Sequence, residues 1–191
     1  MRNSTMYLFR ALWLSLVWTI SVQGVQAVQA EPPPDVHPQV ETLLAQPSAP
    51  DGVVFDIETL DANALTNLAP YVRKQIRLIR ERFPAVDIAV VSHGAEEFAL
   101  QKQAQSNNAA LHETFRQLTA SDGVSVHVCG AVGGLKGLTR EDFPDFVSYS
   151  ESGMAQLNDY KALGYQVITI RQLSDSERKS LFDTPKRFIH P

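Results

Sequence analysis

The pattern of apolar and polar positions along the chain predicts strands that alternate with helices. Five short apolar runs, each bounded by turn residues, have the length of strands, and they lie at residues 52–57, 86–91, 123–130, 146–149 and 165–170. From Leu65 to Phe83 apolar residues recur every three or four positions, which predicts an amphipathic helix with Pro70 near its start. This order of elements predicts an α/β fold with a mainly parallel sheet of about five strands.

The remaining helices are predicted from shorter signals. Glu96 and Glu97 suit the first turn of a helix that follows the second strand, because negative charge is favourable at a helix N-terminus. A further helical segment is expected around residues 109–118, and another ends at Gly164. Downstream of Ser174 we expect one short polar helix and a surface tail.

The third apolar run carries the sharpest chemical signal in the sequence. Its strict alternation places its valines on one face of the strand and Ser125, His127 and Cys129 on the other. Cys129 is the only cysteine of the chain, and it stands at the carboxyl end of this strand, directly before Gly130. Ligands and reactive groups gather outside the carboxyl ends of strands in an open α/β sheet, so we expect chemistry at this position.

His93 follows the second strand and therefore reaches the same end of the sheet as Cys129. A thiol reacts as the thiolate, which a protonated histidine or a helix N-terminus stabilises. We predict a site with the catalytic residues Cys129 and His93 and the binding residues Gly130, His127 and Gly94. On this hypothesis the thiol is accessible and partly ionised near neutral pH. The alternative is a small buried residue that closes the strand, since free cysteine is among the most buried residue types.

The N-terminal 30 residues have the three regions of a secretory signal peptide. Arg2 and Arg10 precede a short apolar run, and small residues lie one and three positions before Glu31. Cleavage after Ala30 fits best, and cleavage after Ala27 satisfies the same rule. The run is shorter than the roughly 20 residues that span a bilayer. We therefore expect an exported protein without stable membrane insertion after cleavage, which is periplasmic if the source is a Gram-negative bacterium.

Proline content separates this predicted leader from the folded domain. Residues 31–51 hold several prolines and few large apolar residues, which predicts an extended linker with at most one turn of helix, at residues 40–44. The α/β domain is expected at residues 52–172 and a surface tail at residues 173–191. An exported chain with one cysteine cannot pair it internally, so Cys129 is either buried or kept free for a purpose.

Charge and motifs exclude several classes of function. A net charge of -4, with basic residues mixed among acidic ones, gives no footprint for nucleic acid. The glycine-rich turn after Cys129 lacks the G-x-x-x-x-G-K-[ST] pattern of a phosphate loop, so no nucleotide is predicted. A zinc site made from Cys129, His93, His127 and His112 would lack the close spacing of structural zinc ligands. We therefore predict neither a metal nor another cofactor.

Three short motifs occur in an order that resembles one known family. The second strand ends in Val90-Val91-Ser92-His93-Gly94, the third ends in Val128-Cys129-Gly130, and the last begins with Leu163-Gly164-Tyr165. Over roughly residues 52–170 they resemble the DsrE/DsrF-like family of sulfur-relay proteins. The resemblance implies a three-layer α/β/α domain, frequent assembly as trimers or hexamers and, in some members, a cysteine at the position of Cys129 that carries sulfur as a persulfide.

Two features differ from the family pattern. Ala131 and Val132 stand where relatives often carry a polar residue after the cysteine, and relatives are mostly cytosolic, whereas this chain has a predicted signal peptide. We expect an exported, homo-oligomeric sulfur carrier, or a thiol-based sulfur-transfer protein, that acts through Cys129 on a donor or acceptor protein. The alternative is a non-catalytic module for small-ligand binding or oligomeric assembly on the same fold.

Overall fold

The computed structural model describes residues 34–184. Residues 1–33 and 185–191 lie outside this description, and the first of these ranges contains the predicted signal peptide of residues 1–30. No helix between residues 34 and 184 is both long enough and apolar enough to cross a lipid bilayer.

Parallel strands form one sheet in this part of the chain. The five strands are β1 (Gly52–Ile57), β2 (Asp87–Ser92), β3 (Ser125–Cys129), β4 (Ser148–Ser150) and β5 (Tyr165–Ile170). Their order across the sheet is β4-β3-β2-β1-β5, so the last strand in sequence pairs with the first. All neighbouring strands run parallel, which confirms the predicted type of sheet.

Helices connect and cover these strands. The α-helices of the described residues are α1 (Pro38–Leu44), α2 (Ala64–Arg82), α3 (Ala109–Ala120), α4 (Gly130–Gly133), α5 (Gly153–Ala162) and α6 (Asp175–Asp183). Short 3-10 helices lie at Ala95–Leu100, Lys102–Ala104, Gly134–Lys136 and Arg140–Asp142.

The helices lie on both faces of the sheet, which makes the domain a three-layer α/β/α structure. Helices α1, α2 and α3 pack over the main hydrophobic core on one face. Side chains alternate along each strand, so Phe55 of β1 faces this core while Val54 faces the opposite side. There Leu157 of α5 packs against the sheet. Both faces are apolar, as a parallel sheet with helices on both sides requires.

The apolar pattern located most elements correctly. Strands β1 and β5 have their predicted bounds, and α2 begins at Ala64 and continues through Pro70. The fourth strand differs, because β4 starts at Ser148 rather than at Phe146. Phe146 and Val147 pack against the main core instead of pairing with β3. The apolar residues of this segment are those buried in the core, whereas the residues that pair with β3, at 148–150, are more polar.

Helix α1 lies within residues 31–51, for which composition predicts an extended linker. Val40 and Leu43 of this helix are completely buried in the main core. A buried glutamine of α2, Gln75, accepts a hydrogen bond over 3.0 Å from the backbone N–H just before the helix. The sequence indicates one turn of helix at residues 40–44 but not its packing into the core, and Pro38 stands at the helix start, where proline is tolerated. The segment around α1 is therefore packed as part of the domain.

We expect Leu43→Ala to lower the free energy of unfolding by about 2–5 kcal/mol, because it empties a filled position in the core. The exposed Glu41 on the same helix supplies the control, and Glu41→Ala should change stability by less than about 0.5 kcal/mol. Urea unfolding of both variants measures the difference. Equally small effects would contradict the packing of α1 into the core.

Candidate functional site

Three adjacent strands, β1, β2 and β3, end at the same edge of the sheet. Ile57 pairs with Ser92 and Ser92 pairs with Val128, so the residues that follow each strand come together at this edge. Cys129 is the last residue of β3, and His93 follows β2 directly. The structure thus places these two predicted site residues on neighbouring strand ends, as their positions in the sequence indicated.

Gly153, the first residue of α5, lies between Cys129 and His93. A Cβ atom at this glycine would stand 2.4 Å from His93 Cβ and 3.2 Å from Cys129 Cβ. The missing side chain lets the backbone approach both residues. The Gly153 N–H donates a hydrogen bond to Cys129 Sγ over 3.2 Å. A sulfur atom that accepts the first N–H of a helix has surroundings that stabilise negative charge.

Cys129 is nevertheless buried, with 4% of its surface exposed. It belongs to a small apolar cluster whose other buried members are Ala95, Phe98, Val132, Leu173 and Leu181. The expectation of an accessible thiol is therefore wrong for this structure. The physical reason is that the chain downstream of β5 folds back, so that residues just before and within α6 join the cluster around the strand end.

A fully buried carboxyl group, that of Glu97, supports the backbone of Cys129. Glu97 Oε2 accepts a hydrogen bond from the Cys129 N–H over 2.8 Å. Glu97 Oε1 is buried without a hydrogen-bond partner among the described residues. Burial raises the pKa of Glu97 well above its ordinary value, and the Cys129 N–H opposes this only in part. The side chain therefore favours the neutral acid form beside Cys129.

The neighbouring Glu96 links the ends of β1 and β2 through hydrogen bonds. Its carboxyl oxygens accept hydrogen bonds from the Thr59 N–H over 2.7 Å, the Gly94 N–H over 3.0 Å and the Ser92 hydroxyl over 2.8 Å. Burial raises the pKa of Glu96, and these donors oppose the rise. A Cβ at Gly94 would stand 2.4 Å from both Glu96 Oε2 and the Thr59 carbonyl oxygen, so the crowded loop requires glycine there.

Glu96 and Glu97 lie in the 3-10 helix Ala95–Leu100, and all six residues of that helix are buried. Both glutamates lie in the first turn of this helix, as the sequence predicts, although the helix is of the 3-10 type. Their carboxyl groups are buried and accept hydrogen bonds from backbone N–H groups at the strand ends. The signal that could have indicated their burial is the apolar character of the residues around them, from Gly94 to Leu100.

His93 lies between two carboxylates that hold it as an imidazolium. Its Nε2 donates to Asp56 Oδ1 over 2.6 Å, and its Nδ1 lies 3.5 Å from Glu58 Oε1. Arg178 of α6 donates two hydrogen bonds to Glu58, of 2.9 and 2.5 Å. Burial by itself lowers the pKa of His93, but the two carboxylates raise it to about 10. Burial raises the pKa of Glu58, yet Arg178 and His93 together lower it to about 2.

Both ring nitrogens of His93 are engaged by carboxylates, so the imidazole has no free nitrogen for the thiol of Cys129. The sequence indicated that these two residues meet, but not the acidic pair that holds the histidine. Asp56 and Glu58 belong to the first strand and its following loop, whereas Arg178 belongs to the predicted surface tail. Charges that pair across such distances leave no local pattern in a sequence.

Two further predicted site residues, His127 and Gly130, contact neighbouring side chains near the end of β3. His127 is half-buried, its Nε2 lies 2.8 Å from Tyr160 Oη and its Nδ1 lies 3.2 Å from Ser150 Oγ. Burial lowers the pKa of His127. Gly130 begins α4, and a Cβ there would lie 2.7 Å from the ring of Tyr149. His127 thus links β3 to Tyr160 of α5, and the absence of a side chain at Gly130 allows the ring of Tyr149 to pack there.

Metal ligands do not converge within residues 34–184. No group of three or more histidine, cysteine, aspartate or glutamate side chains is arranged there to hold a metal ion. His112, one of the candidate zinc ligands, lies on α3, and its Nε2 is 3.0 Å from the carbonyl oxygen of Ala99. The site consists of a thiol, backbone donors and buried charges.

Comparison with known proteins places this site in a family. The model of the DsrE/DsrF-like family matches residues 56–170, which include Cys129, His93 and Gly153. The match spans more than half of the chain, and the protein belongs to the DsrE/DsrF-like family.

One similar solved structure is that of MTH1491, a protein of unknown function from Methanobacterium thermoautotrophicum. It has 21% sequence identity and a TM-score of 0.47, and the alignment covers 62% of this chain and 97% of that one. No curated protein matches this sequence significantly.

An NMR titration should separate two of the histidines. We expect the His93 imidazole to stay protonated well above neutral pH, with a pKa of about 10. His127 is the internal control, because burial lowers its pKa below the ordinary 6.5. The raised pKa of His93 also predicts that its contribution to stability is complete below pH 6.5 and is lost as the pH rises toward 10. Titration of both rings near pH 6.5 would show that the carboxylates do not hold His93.

Alanine substitution of two glycines tests the close approach of the Gly153 backbone to His93 and Cys129. Gly153→Ala should lower the free energy of unfolding by about 1–3 kcal/mol, because the new Cβ overlaps His93. Gly134 is the matched control, since nothing lies within 4 Å of a Cβ there and its φ is negative. Gly134→Ala should be neutral or stabilise by about 0.4–1 kcal/mol. Thermal unfolding compares the two, and equal stabilities would rule out the close approach at Gly153.

Proposed function

We propose that the protein accepts and passes on sulfur at Cys129, as an exported sulfur carrier of the DsrE/DsrF-like family. The observation that carries this proposal is the hydrogen bond from the Gly153 N–H to Cys129 Sγ over 3.2 Å. A thiolate or a persulfide anion at a strand end gains stability from such a donor. A cysteine that only fills space does not need a helix N-terminus directed at its sulfur.

The transfer step is an exchange between a thiolate and a persulfide. The Cys129 thiolate attacks the outer sulfur of a donor R–S–SH, the donor S–S bond breaks, and its electron pair leaves with R–S⁻. The new S–S bond makes a Cys129 persulfide. An acceptor thiolate then attacks the outer sulfur of this persulfide and releases Cys129 as the thiolate. The outer sulfur keeps its oxidation level throughout, so neither an oxidant nor a reductant is consumed.

Two buried residues support this chemistry without touching the outer sulfur. A neutral Glu97 avoids the repulsion that an ionised carboxylate would exert on an anionic sulfur nearby. His93 acts as a positioning residue, because its ring carbon and Cβ lie against Gly153 and hold the N–H donor in place. Removal of either residue would change the reactivity of the thiol without removing the thiol.

Export and self-association are further parts of the proposal. The order of basic, apolar and small residues in residues 1–30 supports export. The family resemblance supports assembly of identical subunits. Tyr160 and Tyr165, which are half-buried and stacked with ring centroids 4.8 Å apart, offer aromatic surface for such a contact. The sulfur donor and acceptor would then be molecules of the compartment to which the protein is exported.

A non-catalytic module for ligand binding or assembly is the second candidate. The observation that favours it is the burial of Cys129, since a structural cysteine in an apolar cluster is inert. In this case the hydrogen bond from the Gly153 N–H to Cys129 Sγ only helps to position the start of α5.

Intact-mass spectrometry after incubation with polysulfide tests the proposal. We expect native protein to gain the mass of added sulfur and to lose it again on treatment with a thiol. Cys129→Ser should abolish the gain while circular dichroism and the unfolding temperature stay close to those of the wild type. The module hypothesis predicts no gain on native protein and a gain only after denaturation, and that result would end the sulfur-carrier proposal.

A further inference from the structure

We infer that α6 is a lid over Cys129, fastened by the ion pair of Arg178 with Glu58 and by the buried side chain of Leu181. The inference rests on the proposed function, because a sulfur carrier must expose a thiol that is buried in this structure. Opening of α6 would admit the sulfur donor and acceptor, and closure would shield the persulfide.

Two residues downstream of the sheet belong to the same buried apolar cluster as Cys129. Leu173, just before α6, and Leu181, within it, are 8% and 1% exposed. The family match ends at residue 170, so both lie outside the part of the chain that the match covers. The cluster therefore combines Ala95, Phe98 and Val132 from the matched region with two leucines from the segment that follows it.

Helix α6 is held to the domain by few contacts. Leu181 is its only buried residue, and the next residue, Phe182, is 43% exposed. The polar contact is the pair of hydrogen bonds from Arg178 to Glu58, whose side chain is 2% exposed. An element with one buried side chain and one ion pair belongs to the least stable parts of a fold and opens without unfolding the rest.

The first turn of α6 is stabilised by hydrogen bonds within the segment itself. The Ser174 hydroxyl accepts a hydrogen bond from the Glu177 N–H over 3.3 Å, and Glu177 Oε2 accepts one from the Ser174 N–H over 3.0 Å. This capping box lies wholly within the segment, so movement of α6 away from the domain does not require it to break. The contacts that opening must break are those of Leu173, Arg178 and Leu181.

A strained backbone position lies between the sheet and α6. Arg171, the residue after β5, has a φ of 50°, and it is the only non-glycine residue with a positive φ among the described residues. The left-handed region is unfavourable for a residue with a Cβ and persists where surrounding contacts enforce it. Release of the contacts of α6 allows this position to relax, which makes Arg171 the hinge.

Alkylation of Cys129 by iodoacetamide at fixed pH measures the lid directly on the full chain. Leu181→Ala should raise the rate about 30-fold, because the loss of a buried leucine weakens only the closed state. Arg178→Gln should raise it about fivefold. The matched controls are Phe182→Ala, an exposed apolar neighbour on the same helix, and Arg116→Gln, which breaks a surface ion pair with Glu113. Both controls should stay within about twofold of the wild type.

Hydrogen exchange of the same proteins distinguishes lid opening from general unfolding. In Leu181→Ala and Arg178→Gln, the amides of residues 174–184 should exchange faster by the same factor as alkylation, while the amides of α2 keep their rates. The inference is overturned if alkylation does not change although the α6 amides exchange faster. It is also overturned if the alkylation rate rises only when the amides of α2 exchange faster too, because the thiol is then exposed by general unfolding.

The outcome for the lid is separate from the outcome for the proposed function. Iodoacetamide reports access to the thiol and requires no sulfur chemistry. If the two variants expose Cys129 but polysulfide adds no sulfur to them, the lid stands and the sulfur-carrier proposal fails. If sulfur loads onto all of the proteins while alkylation proceeds at one rate in wild type, variants and controls, the carrier proposal stands and the lid fails.

Discussion

The buried imidazolium of His93 is the interaction on which the carboxyl edge of the sheet depends. Asp56 and Glu58 are withdrawn from water there, and a buried carboxylate is costly unless it is paired. The cation between them compensates both, and its ring also rests against Gly153. The start of α5 takes its position from this contact, and with it the backbone donor that reaches the sulfur of Cys129.

The charges at this edge nearly cancel. Two carboxylates, on Asp56 and Glu58, face two cations, on His93 and Arg178. Burial raises the pKa of the other two carboxyl groups at this edge, those of Glu96 and Glu97. The polar group that the structure directs at the sulfur of Cys129 is the Gly153 N–H at the start of α5. Its position relative to the sulfur depends on where α5 lies.

The sequence predicted those elements in which apolar side chains recur with the period of a strand or a helix. Strands β1 and β5, helix α2 and the position of Cys129 at a strand end all follow from alternation or from a spacing of three to four residues. The burial of Glu96 and Glu97 did not follow, because carboxylates are usually exposed and only tertiary donors make their burial acceptable. The packing of helix α1 into the core was obscured by proline-rich composition, and the packing of α6 depends on one leucine and one arginine in an otherwise polar segment.

The order of the strands has a consequence for the synthesis of the chain. Strand β1 lies between β2 and β5, so one of its edges has no partner until nearly the whole domain has been made. An apolar strand with an unpaired edge is a template for aggregation. Until β5 has been made, the nascent chain therefore carries an apolar strand whose edge is open to pairing with another chain.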